Sequence, residues 1–73
     1  MELKTKQQIG DTIKAARIKK GYTQRELGEL IGFSGDSVDS IIRNIELGRR
    51  GLALEKVRIC ALTLGVPVED LLP

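Results

Sequence analysis

The sequence predicts an all-α domain. Three observations carry that prediction. Apolar residues recur at helical spacing along the chain, and glycines fall at the ends of the periodic stretches. No stretch alternates apolar and polar residues as a half-buried strand does, and aromatic residues are almost absent. The 73 residues leave room for a single domain, 1–73, with no internal repeat, low-complexity run or linker.

The first helix is expected from about Lys6 to Lys20. Thr5 with Gln8 three residues later has the form of a capping box. Ile9, Ile13 and Ala16 share one face. Lys19 and Lys20 place cations in the last turn, where they suit the helix dipole, and Gly21 supplies a C-terminal cap. A second capping box, Thr23 with Glu26, starts the second helix. Leu27, Leu30 and Ile31 are its expected core face, and Gly32 ends it. Gly28 costs about 1 kcal/mol in a helix relative to Ala, so its small size implies that another helix crosses closely there.

Phe33 is read as a core plug. The third helix begins at Ser34 or Ser37, either of which can cap. Val38, Ile41, Ile42 and Ile45 form its inward stripe, and Gly48 closes it. Ser37, Asp39, Ser40, Arg43 and Asn44 then point outward. The fourth helix spans roughly Leu54 to Leu64, with Leu54, Val57, Cys60, Ala61 and Leu64 inward and Gly65 as its stop. A short fifth helix, about Val68 to Leu72, follows Pro67.

Composition excludes several function classes. The chain has no His and one Cys, Cys60, so neither an internal disulfide nor a Cys/His metal site is available. No nucleophile–base pair presents itself, and the expectation is no enzyme, no catalytic residue and no cofactor. No apolar run approaches the roughly 20 residues that span a bilayer, and the N-terminal stretch lacks the apolar segment of a secretory signal. A cytoplasmic protein without membrane contact is expected. A chain this short has no room for a ligand-sensing domain, so no small-molecule ligand is expected either.

Net charge is only +2 but uneven. Residues 1–25 hold Lys4, Lys6, Lys14, Arg17, Lys19, Lys20 and Arg25 against Glu2 and Asp11, a balance of +5, while residues 26–73 balance at −3. A basic end suits a polyanion, but from charge alone a solvated, Lys-rich helix face is the favoured reading.

The second helix, a turn and the third helix have the proportions of a helix-turn-helix, at about residues 23–47, whose second helix enters the DNA major groove. The segments "IKAARIKKGYTQRELGELIGFS", "IELGRR" and "LTLGVPVEDLL" sharpen this reading. In order and near-regular spacing, over residues 9 to 72, they resemble the phage-repressor/Cro-like (XRE-type) helix-turn-helix family. The resemblance implies a compact five-helix, lambda-repressor-like DNA-binding domain. It implies that Gln24 grips a phosphate and buttresses the recognition helix. It pairs Arg17 with Glu46 in an internal salt bridge, and it brings Arg49 and Arg50 near the DNA backbone.

One departure stands out. Ser34 and Gly48 are fourteen residues apart, about four more than the family usually has. Four residues turn an α-helix by just over one turn, a drift of about 40°, so the apolar stripe survives in either of two registers. Counting forward from Ser34 puts Gly35, Asp36 and Ser40 in the groove. Counting back from Glu46 puts Asp39, Ser40 and Asn44 there. The second count is favoured because Ile42, Ile45 and Glu46 must pack on one core in both; "FSGD" is then a longer turn and Ser37 the cap.

On this reading, phosphate contacts come from Lys20, Thr23, Gln24, Arg49 and Arg50, which position without specifying. Base reading falls to Ser37, Asp39, Ser40, Arg43 and Asn44; Asn pairs with adenine, Arg with guanine, and Asp accepts from cytosine. Asp39 is equally a helix N-terminal carboxylate favoured by the dipole. Ile18, Ile59 and Leu62 fall outside the apolar stripes, and Ile59, Leu62, Leu71 and Leu72 make a candidate homodimer patch. The implied function is a sequence-specific regulator, a repressor occupying a palindromic site on double-stranded DNA as a homodimer. The alternative is a module of the antitoxin or antirepressor kind that holds a protein partner, a reading favoured by Asp36 and Asp39.

Overall fold

Local chemistry sets most of the helix boundaries in the computed structural model, which describes residues 3–73; Glu2, counted in the charge balance, lies outside them. Helix α1 is Lys6–Lys20 and α2 is Gln24–Leu30. Both open with a complete capping box. Thr5 Oγ1 accepts from the Gln8 amide at 3.1 Å while Gln8 Oε1 accepts from the Thr5 amide at 2.8 Å. Thr23 and Glu26 repeat the exchange at 3.0 and 2.9 Å. Each box satisfies two amides that the helix itself leaves unpaired. Helix α3 is Val38–Glu46 and α4 is Leu54–Leu64, and a 3-10 turn at Val68–Leu71 closes the fold. No strand occurs among the described residues.

One core holds these elements together. Ile13 of α1, Leu27 and Ile31 at α2, Ile42 and Ile45 of α3, and Val57, Cys60, Ala61 and Leu64 of α4 are buried with Leu71. Helices α2 and α3 cross at Gly28, as its small size implied. A Cβ there would run into Val38 Cγ1 and meet Ile42 Cγ1 at 3.0 Å.

Several expectations need correction. Leu30 is 48% exposed. Gly28 and Ile31 lie about 100° and 40° round the helix from Leu27 in one sense, and Leu30 about 60° in the other, so the buried arc leaves it outside. Leu54 is 76% exposed because it is the first residue of α4 and helical side chains lean toward the N-terminus, beyond the core. The fifth helix is a 3-10 turn that stops at Leu71. Leu71 belongs to the core, only 1% exposed, so it leaves the proposed dimer patch. Phe33 is half-buried rather than a plug. Its ring packs on the core and carries Lys56 Nζ at 4.6 Å and the Arg50 guanidinium at 5.7 Å from its centroid.

The register question has a definite answer. Helix α3 has nine residues and starts after Ser37, so the extra residues lengthen the turn, 31–37. Gly32 and Gly35 occupy the left-handed region at φ 103° and 100°, which lets the chain reverse twice within that turn. Ser37 stands at the N-cap position, but its hydroxyl makes no capping hydrogen bond. Its φ and ψ of −100° and 12° are not the extended values that a capping side chain needs.

Candidate nucleic-acid interface

Helix α3 buries Val38, Ile42 and Ile45 and turns Asp39, Ser40 and Arg43 to solvent. Ser37 is exposed at its start, and Asn44 is half-buried near its end. The Asn44 carbonyl accepts the amides of Arg49 and Arg50 at 3.0 and 3.3 Å. That reverse turn fixes where the two arginines leave α3, and both are exposed.

The C-terminal end of α3 is locked by a polar network. Glu46 is buried, with its side chain 3% exposed. Its Oε2 accepts from Arg17 Nε at 2.6 Å, and its Oε1 accepts from Arg17 Nη2 at 3.2 Å and from Gln24 Nε2 at 3.1 Å. Arg17 Nη1 also donates to the Tyr22 carbonyl at 2.8 Å. Gln7 Nε2 reaches the Glu46 carbonyl at 3.2 Å and Asp11 Oδ1 at 2.8 Å. One carboxylate therefore ties α1, α2 and α3 together, and Arg17 extends the tie to the α1–α2 turn. Among the described residues no buried side-chain nitrogen or oxygen lacks a partner. Such a charge is tolerable only because it is paired and hydrogen-bonded on both oxygens.

Gln24 donates one amide hydrogen to Glu46 and keeps a second. Thr23 uses its hydroxyl oxygen to accept from Glu26, so its own hydroxyl hydrogen is still available as a donor. Gln24 and Arg43 line a shallow polar hollow of about 200 Å³ with Gln7, Lys14 and Glu46. Lys20 is not gathered into this group; its Cε lies against Gly65 at the end of α4.

Two basic residues at this surface were not among the sequence candidates. Arg25 donates to the carbonyls of Gly35 and Asp36 at 3.3 and 3.1 Å and to Asp39 Oδ1 at 3.4 Å. Its i,i+4 approach to Glu29, at 3.8 Å, was readable from spacing, but the grip on the turn depends on the lengthened loop. Lys56 reaches the same turn from α4 through the face of Phe33. Nothing in the local sequence of α4 signals that contact.

The Cys60 thiol is fully buried, and burial raises its pKa to about 11, so it is protonated at neutral pH. Among the described residues no group of His, Cys, Asp and Glu is placed to hold a metal, and no helix is long and apolar enough to cross a membrane.

The comparisons agree with this architecture. No curated protein matches the sequence. The transcriptional regulator BswR is 34% identical over 81% of this chain, with a TM-score of 0.76. This chain spans 58% of BswR's length. The clp gene regulator ClgR from Corynebacterium glutamicum is 27% identical over 90% of this chain and 66% of its own, at a TM-score of 0.76. The restriction-modification controller protein C.AhdI from Aeromonas hydrophila, 24% identical, shares the fold at a TM-score of 0.75, over 90% of this chain and 94% of its own. A helix-turn-helix family model matches residues 13–71, and the chain belongs to the Cro/C1-type (XRE) helix-turn-helix family of DNA-binding transcription regulators.

Proposed function

We propose that this protein is a sequence-specific transcription regulator of the cytoplasm, a repressor that occupies a palindromic operator as a homodimer with α3 in the major groove. The observation that carries the reading is the exposed polar face of α3, held at a fixed angle to α2 by the Glu46 network. Ser37, Asp39, Ser40, Arg43 and Asn44 are the base-reading set. Gln24 and Thr23 offer spare donors to one phosphate, and Arg49, Arg50 and Lys20 supply cations. The dimer forms on the outer face of α4, where Leu62 is 76% and Ile59 42% exposed, with half-buried Leu72 contributing.

Selection from random-sequence duplexes, repeated at two salt concentrations, tests this. The expected result is an enriched palindrome with half-site centres about 34 Å apart. Three cations per protomer give a dimer a log–log salt slope near about −5, so affinity falls about a thousandfold between roughly 50 and 200 mM salt. No enrichment from folded protein refutes the reading. The protein-partner reading is favoured by Asp36, whose carboxylate is exposed; Asp39 favours it less, because Arg25 faces its charge.

A further inference from the structure

We propose that Arg25 and Asp39 form one reading unit, in which Arg25 positions the carboxylate of Asp39 to accept from the exocyclic amino group of a cytosine. The inference rests on the DNA-binding reading above and names a specificity determinant within it. Three observations lead to it. An aspartate in the first turn of a recognition helix opposes phosphates, yet here its Oδ1 faces a guanidinium at 3.4 Å. That guanidinium spans three acceptors, the Gly35 carbonyl, the Asp36 carbonyl and Asp39. The start of α3 has no capping hydrogen bond from Ser37, so Arg25, reaching across from α2, supplies the side-chain tie between the turn and the helix start.

The chemistry follows from the donor count. Arg25, which also faces Glu29 at 3.8 Å, offsets part of the charge of Asp39 and engages one carboxylate oxygen. The other oxygen, Oδ2, is left for the groove. Cytosine is the base whose major-groove edge offers a donor without the adjacent N7 acceptor of adenine, so a lone carboxylate oxygen selects it. A lysine at position 25 keeps the charge but not the planar fork that holds three acceptors at once.

The test is duplex selection with wild type, Asp39→Asn, Arg25→Gln and Arg25→Lys, each shown to be folded by its circular dichroism melt. Wild type is expected to select a C·G pair at one position of each half-site. Asp39→Asn lowers that preference about fivefold or more. Arg25→Gln lowers it comparably although Asp39 is intact, and Arg25→Lys recovers part of it. The double substitution Arg25→Gln/Asp39→Asn is no worse than Asp39→Asn alone. An unchanged motif in Asp39→Asn or Arg25→Gln overturns the proposal and leaves the DNA-binding reading standing. So does an Arg25→Gln that weakens all sequences uniformly and reduces the salt slope by about one, the signature of a plain phosphate contact. A wild type that selects no motif overturns both.

Discussion

Replacing Glu46 with Ala tests the network that sets the angle of α3. The change removes three hydrogen bonds, two from Arg17 and one from Gln24. It leaves the Arg17 side chain, 12% exposed, without its counter-charge. Breaking one partner of a buried pair costs about 3–5 kcal/mol. A domain of this length has about 4–11 kcal/mol in total, so the variant stands near its folding threshold. Arg17→Met costs a similar ~3–5 kcal/mol, because it strands the more deeply buried carboxylate with only Gln24 for a partner. The double substitution Arg17→Met/Glu46→Leu has no stranded charge. It forfeits only the tie to the Tyr22 carbonyl and the Gln24 contact, about 1–2 kcal/mol. Urea denaturation followed by far-ultraviolet circular dichroism gives all three values, and an unchanged slope against urea confirms that the midpoints report stability. A loss below about 1 kcal/mol for Glu46→Ala, or a double variant at least as damaged as either single, would refute the argument that the pair is a coupled buried unit.

The remaining predictions concern the core, its one thiol and the exposed face of α4. Gly28→Ala gains helix propensity but forces a methyl group into Val38 and Ile42; overpacking costs about 1–3 kcal/mol, so a net loss in urea midpoint is expected. Leu71→Ala loses about 2–5 kcal/mol as a core deletion. Exposed Leu62→Ala leaves monomer stability within about 0.5 kcal/mol and shifts the self-association measured by sedimentation equilibrium. The raised Cys60 pKa means that the unfolded chain ionises first. Stability is therefore intact below pH 9.0 and falls as pH rises toward about 11, and Cys60→Ala has a flatter limb over that window in pH-dependent urea melts.

What was legible in the sequence was whatever local chemistry decides. Both capping boxes, the span of α1 and the span of α4 follow from residues three or four apart. The pairing of Arg17 with Glu46 joins positions 29 residues apart, and only the resemblance reached it. Register was legible in part. Two counts for α3 were open, and the one that keeps Ile42, Ile45 and Glu46 on a common core is the one the fold adopts. Leu30 and Leu54 lie at helix ends, where apolar spacing no longer implies a facing neighbour, and Leu71 lies in a turn whose docking is a tertiary event. The role of Arg25 at the turn is not readable from the sequence, because its acceptors are backbone carbonyls ten and eleven residues away, created by a loop whose path no local rule specifies.

The two ends of α3 are held by arginines of unlike strength, and the difference bears on recognition. At the C-terminal end Arg17 and Glu46 are shielded, so salt screens their attraction little and the helix end is fixed against α1. At the N-terminal end Arg25 and Asp39 are 44% and 55% exposed, where an ion pair contributes at most about 1 kcal/mol and weakens with salt. The apolar stripe of Val38, Ile42 and Ile45 keeps α3 seated, because burial of that face is indifferent to charge. The helix is thus fixed at its C-terminal end by a shielded pair and held at its N-terminal end by a weaker, salt-sensitive one. On the proposed DNA-binding function, that asymmetry lets a small domain adapt its reading end to the bases without loosening the hydrogen-bonded end that orients it.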